Sequence, residues 1–295
     1  MRMRGPVLVA AIAFVLTACS EGSSLPEVPS TLVPIDQKGQ DATTSTSEPA
    51  PSDDGTVDQT TTTLFARLLT PPAEAPPFEA VTITMPDGID LYGQFWVGGD
   101  VAVIYTHEFD AAQAGSSGTR PPQSSDSLST STWTMADNGL TVLAFDFRGH
   151  GQSGGDYNVK ESQIDMQAAY RFLVDRGYTT IVGMPFGGSA PVMADLSASD
   201  DTFVLAGIGM LFTPLAETGF DAKQALSEID EPVWLVGIDV GSFGGVTKRL
   251  EPSVQNLYDR IVFPAVPSGV QFADVYGAEY LGRQLDFIES VAGVG

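Results

Sequence analysis

Cysteine and histidine are nearly absent: the 295 residues contain one cysteine, Cys19, and two histidines, His107 and His150. A single thiol excludes an internal disulfide framework. Two histidines confine any chemistry that needs an imidazole base to those two positions. Cations are scarce as well, with 14 Lys and Arg against 37 Asp and Glu and a net charge of −23. Such a chain repels polyanions, which excludes nucleic acid as a partner. No metal-ligand spacing and no phosphate-binding glycine loop occurs, so neither a metal nor a cofactor is expected. Long hydrophobic runs are also missing, apart from one at the N-terminus.

That exception, residues 1–18, reads MRMRGPVLVAAIAFVLTA. Two arginines precede an apolar run that is too short, and too closely followed by polar sequence, for a membrane span. It reads as a signal peptide for export. Removing Arg2 and Arg4 from the 14 basic residues leaves 12 against 37 acidic ones in the remaining chain. The run ends in Leu-Thr-Ala-Cys, residues 16–19, which resembles the lipobox of bacterial lipoproteins. The resemblance implies cleavage before Cys19 and lipid attachment to its thiol. An exported protein anchored to the bacterial cell membrane by its N-terminus is therefore expected, since two or more acyl chains hold a protein on a bilayer.

Residues 19–77 are rich in Ser, Thr, Pro and acids, most clearly in DATTSTSEPAPSDDGTVDQTTTT at 41–63. No apolar period runs through them, so they read as a disordered tether with a coil dimension on the order of 45 Å. From residue 78 to the C-terminus, short apolar runs alternate with helical patterns. Strands are predicted at 80–85, 90–97, 101–107, 141–147, 179–184, 204–211, 233–238 and 270–276. The turn dipeptide in Pro86-Asp87-Gly88 makes the first two a hairpin. The later runs are apolar throughout, the mark of parallel strands covered on both faces. A helix is predicted at 160–177, with Ile164, Ala168, Tyr170, Phe172 and Leu173 as its apolar positions and Gly177 as its stop. The expectation is one α/β domain with a mostly parallel twisted sheet, an N-terminal hairpin and helices on both faces.

Residues 140–155, LTVLAFDFRGHGQSGG, carry Asp146, Arg148, Gly149, Gly151 and Ser153 in the order Asp-x-Arg-Gly-x-Gly-x-Ser. This resembles the segment that follows the fourth strand in α/β-hydrolases of the esterase, lipase and serine aminopeptidase type. The resemblance extends from residue 78 to the end. VIYTHEF (103–109) corresponds to the His-Gly element before the oxyanion loop, and EPVWLVGID (231–239) to the strand that delivers the triad acid. GAEYLGRQLDFIESV (277–291) corresponds to the histidine loop and last helix.

The resemblance implies a nucleophile in a Gly-x-Ser-x-Gly elbow, a strained turn that lifts the Ser Oγ toward an oxyanion hole. The frame here is Gly183, Met184, Pro185, Phe186, Gly187. Pro185 stands at the serine position. Its ring fixes φ near −65°, whereas the elbow needs positive φ, so the turn must rearrange and the Phe186 N–H must turn from the oxyanion site. The histidine position falls on Tyr280, or on Glu279 if the loop slips by one, and neither side chain replaces imidazole near neutral pH. His107 and His150 fall at structural positions of the family pattern. Only the acid position is filled, by Asp239, which reads equally as a loop residue. Glu108 replaces the glycine of the His-Gly pair and brings an anion to the oxyanion region.

Ser189, one turn into the following helix, is the fallback nucleophile, and Ser153 reads as a turn residue. Asp156, Glu161 and Asp165 form a possible carboxylate group. The triad at Pro185, Asp239 and Tyr280 therefore reads as degenerate. The expected function is a lipid-anchored envelope protein with a binding or scaffolding role. Its expected partners are the membrane, through Cys19, and an envelope protein or apolar small molecule. Two other classes remain open: an active hydrolase with a non-standard nucleophile, and a carrier of an apolar small molecule, with residues 209–215 and 240–246 as possible pocket walls.

Overall fold

The computed structural model describes residues 69–109, 128–240, 245–266 and 269–294. The signal peptide, Cys19 and the tether up to residue 68 lie outside them. The hairpin forms as its turn sequence requires: β1 (Glu79–Thr84) pairs antiparallel with β2 (Asp90–Trp96), and Gly88 supplies a φ of +83°. Then follow β3 (Val101–Thr106), α1 (Ser129–Asp137), β4 (Thr141–Phe145), α2 (Ser162–Val174), β5 (Thr180–Pro185) and α3 (Ser189–Ser199). β6 (Gly207–Leu211) leads to a small ribbon of β7 (Ala216–Glu217) and β8 (Phe220–Asp221) and the short α4 (Ala222–Leu226). The chain ends with β9 (Val233–Asp239), α5 (Val246–Leu250), β10 (Leu257–Pro264) and α6 (Gly269–Ala292).

Eight strands form one sheet in the order β1-β2-β4-β3-β5-β6-β9-β10, antiparallel at β1, β2 and the β2–β4 junction and parallel from β4 onward. Every residue of β3, β4 and β6 is buried, which is why these strands are apolar without alternation. Successive residues of β3 still serve different layers. Ala102 and Ile104 join the core beneath α2 and α3, while Val103 and Tyr105 join the core beneath α1 and α6.

Three sequence expectations need correction. The run at 270–276 is helix: Phe272, Tyr276 and Tyr280 recur at four-residue spacing on α6, and that face packs on the sheet. The strand at its place in the order is β10, whose Asp259 and Arg260 interrupt the apolar pattern because it lies at the sheet edge. On α2 the buried positions are Ser162, Asp165, Met166, Ala169, Phe172 and Leu173, while Ile164 is exposed, so the predicted helix exists with a rotated inner face. Contacts with the domain also begin before residue 78, since Trp96 Nε1 donates to the Pro76 carbonyl at 3.1 Å.

Candidate functional site

β3 lies between β4 and β5, so the chain turns to one side of β3 through α1 and to the other through α2. The carboxyl end of β3 is thus a topological switch point, where open α/β sheets form their ligand crevice. Thr106 pairs there with Pro185.

Pro185 is the last residue of β5 and remains extended. Phe186 continues with a parallel bridge to Leu211, and the left-handed conformation falls on Gly187 at φ +62°. The positive φ therefore sits two residues beyond the position at which a serine elbow carries it. The Phe186 N–H donates to the Thr106 carbonyl and to Ser189 Oγ, each at 3.1 Å, and the Gly187 N–H donates to the Leu211 carbonyl at 2.8 Å. Ser189 has no exposed surface. Its Oγ donates to the Phe186 carbonyl at 2.9 Å and lies 2.8 Å from Thr106 Oγ1. Among the described residues no imidazole shares a hydrogen bond with it.

Both histidines join loops. His107 Nε2 accepts from the Phe147 N–H at 3.1 Å, and Nδ1 lies 2.8 Å from the Glu108 carbonyl, an arrangement that requires the proton on Nδ1. Burial, followed by the charge of His150, pushes its pKa down to about 3. The His150 ring lies 5.0 Å from that of His107, tilted by 54°, and its Nδ1 lies 3.1 Å from the Arg148 carbonyl. The pair staples the end of β3 to the turn after β4.

That turn is closed from inside. The Asp146 carboxylate accepts the Gln152 N–H at 2.8 Å, and Ser153 Oγ accepts the Tyr92 N–H at 2.9 Å, so Ser153 is a turn residue. A Cβ on Gly151 would lie 2.0 Å from Asp146 Oδ2, which restricts this position to glycine. Buried Arg148 donates Nε and Nη2 to Asp165 Oδ1 at 2.9 and 2.7 Å, and Nη1 to Asp87 at 3.3 Å and to Glu161. Burial raises the Asp165 pKa against the lowering effect of Arg148. Asp165 and Glu161 are thus counter-ions of Arg148, and Asp87 rather than Asp156 completes the group.

The three triad positions do not converge in the way the sequence pattern implies. Asp239 is exposed at the end of β9, paired with Pro264. Tyr280 lies within α6 instead of a loop: it is buried, its hydroxyl is 3.2 Å from that of Tyr105, and rings of Phe212, Phe263 and Phe272 surround it. Because α6 starts at Gly269, the segment between the last strand and last helix is 265–268, Ala-Val-Pro-Ser, which also has no histidine. The apolar Ile261-Val262-Phe263 ahead of Pro264 is the signal that locates this strand end. Glu279 is exposed and pairs with Arg283 at 3.0 Å.

Two carboxylates flank the turn at Gly187 and Gly188. A Cβ on Gly187 would lie 2.8 Å from Glu108 Cγ and Cδ, and one on Gly188 would lie 2.9 Å from Glu217 Oε2. Glu217 belongs to the β7–β8 ribbon and has no sequence signature. Phe212, one of two non-glycine residues with positive φ among the described residues, at +51°, puts its ring 5.4 Å from that of Phe186. Among the described residues no cluster of His, Cys, Asp or Glu has a metal-binding arrangement. Among them, too, no helix is long and apolar enough to cross a membrane.

No protein-family model and no curated protein matches the chain. Solved structures do. An esterase from Pyrococcus furiosus superposes with a TM-score of 0.59 at 18% identity, covering 73% of this chain and 91% of the esterase. The α/β-hydrolase GrgF from Penicillium gives 0.59 at 12% identity over 74% of this chain and 100% of its own. A proline iminopeptidase from Mycobacterium smegmatis gives 0.57 at 10% over 72% and 99%. The fold is that of the α/β-hydrolases. At these identities the likeness concerns the architecture alone.

Proposed function

We propose that this protein is an exported, lipid-anchored protein of the cell envelope whose α/β-hydrolase domain serves binding or scaffolding instead of serine-dependent hydrolysis. The observation that carries this reading is the engagement of the Phe186 N–H by the Thr106 carbonyl and Ser189 Oγ. In a working elbow the N–H after the nucleophile faces the developing oxyanion, and one such donor is worth about 3 to 4 kcal/mol. Here that donor serves the backbone, and the preceding residue, Pro185, has no hydroxyl.

Ser189 does not substitute for it, because its hydroxyl is buried between Thr106 and Phe186 without an imidazole partner. A serine nucleophile needs a positioned base, and both histidines face backbone groups. Export and anchoring rest on residues 1–19, and the acidic body suits a domain held off an anionic lipid surface. The partner is an envelope protein or an apolar small molecule.

Incubation of the purified protein with a fluorophosphonate probe tests this reading. No covalent labelling is expected. Stoichiometric labelling that Ser189→Ala abolishes would establish the other class, an active hydrolase with a non-standard nucleophile.

A further inference from the structure

Four buried polar side chains of the α1–α6 layer gather at one point in a largely apolar core. Gln284 of α6 has no exposed surface, Tyr105 of β3 has 1%, Tyr280 has 4% and Ser131 of α1 has 7%. Gln284 Nε2 donates to the Tyr105 hydroxyl at 3.0 Å, and the Tyr280 hydroxyl lies 3.2 Å from the same oxygen. Ser131 sits beside both phenols and offsets part of the rise that burial gives their pKa values. Burial raises both phenol pKa values, so the cluster is neutral.

The Tyr105 hydroxyl is the hub of the group, meeting the Tyr280 hydroxyl and the Gln284 amide donor. Gln284 Oε1 then stands alone, buried and without a hydrogen-bond partner. Reversing the amide does not help. Tyr105 would then donate to Oε1, but the two amide N–H groups would be left in apolar surroundings. No orientation of these four side chains satisfies both ends of the amide, and a buried carbonyl without a donor is uncommon in folded proteins.

We propose that the cluster is an internal hydration site, in which one water molecule donates to Gln284 Oε1 and bonds a second time to a neighbouring hydroxyl of Tyr105, Tyr280 or Ser131. The chemistry selects water over other guests. The orphan is an acceptor, so the guest must donate. The group is neutral, so it does not attract an ion. The Phe212 and Phe272 rings packed against Tyr280 offer a larger polar molecule no further partners. The water links α6 to β3 and α1.

Two measurements on the intact protein test the site. A high-resolution crystal structure should show an ordered water about 2.7 to 3.2 Å from Gln284 Oε1. Density without such a water, or another side chain donating to Oε1, overturns the proposal. The second is the sign of a melting shift in Gln284→Met, which keeps length and apolar packing. In a hydrated site the variant loses satisfied hydrogen bonds, and Tm falls by roughly 2 to 4 °C. In a dry site the lost Nε2 bond to Tyr105 is offset by removal of the unsatisfied acceptor, so an unchanged or raised Tm refutes the water.

Discussion

Phe186 and Ser189 hold each other through two hydrogen bonds: the Phe186 N–H donates to Ser189 Oγ at 3.1 Å, and Ser189 Oγ donates to the Phe186 carbonyl at 2.9 Å. The serine thus closes the turn that a nucleophile would otherwise open. With Thr106 Oγ1 at 2.8 Å, the hydroxyl has no capacity left for a substrate. Ser189→Ala should therefore act on stability. It leaves the Thr106 hydroxyl short of a partner in a buried site, at a cost of about 1 to 3 kcal/mol. Urea unfolding checks this, and stability equal to the parent's would mean that the hydroxyl is not a closing element.

Restoring a triad by substitution is expected to fail for two separate reasons. Pro185→Ser supplies a hydroxyl on a strand end shaped for proline, without a base and with the Phe186 N–H already engaged. Tyr280→His places an imidazole among Phe212, Phe263 and Phe272, where the Tyr105 hydroxyl is the polar neighbour, and the ring cannot reach solvent. That second change should destabilise by about 1 to 3 kcal/mol through lost packing and an unpaired ring nitrogen. Hydrolysis of a short-chain p-nitrophenyl ester by each variant and by the pair is the measurement. Robust turnover by any of them would contradict the assignment of the elbow.

Anchoring can be tested apart from the fold. Cys19 is the only cysteine, and Leu-Thr-Ala precedes it. Cys19→Ser should move the protein from the membrane fraction to the soluble fraction or the medium. A wild-type mature chain found unlipidated in the medium would refute the anchor while leaving the reading of the domain untouched.

The sheet was legible because β3 and β4 are buried along their whole length and β5 and β9 along most of theirs, so their runs are largely apolar. β10 was hidden for the opposite reason: an edge strand tolerates Asp259 and Arg260, so its pattern breaks. At 270–276, short-range alternation imitated a strand, whereas Phe272, Tyr276 and Tyr280 follow the helix period. The same misreading made Tyr280, a residue within α6, look like a loop position. In the site, the lack of a serine at 185 could be read directly, since it is a statement about residue type. Glu217 against Gly188 could not, because a two-residue strand brings it there through tertiary packing alone.

Acid should destabilise the domain through His107. In the folded protein its Nε2 accepts the Phe147 N–H, so a proton there would set one donor against another in a fully buried site. Burial, then the charge of His150, depresses its pKa from 6.5 to about 3. Between these values the unfolded chain binds a proton that the folded chain does not. The stabilising contribution is complete above about pH 6.5 and is lost as pH falls toward 3, at up to about 1.4 kcal/mol per pH unit. Asp165 works in the opposite direction, because its raised pKa lets the folded state take up a proton first. A substitution at His107 separates the two. Glutamine at this position can accept the Phe147 N–H but cannot titrate, so His107→Gln should lose some stability at pH 7 and show a shallower decline between pH 6.5 and 4 than the parent. Urea midpoints at several pH values in that range give both slopes. Equal slopes would mean that His107 is not the group that couples acid to unfolding.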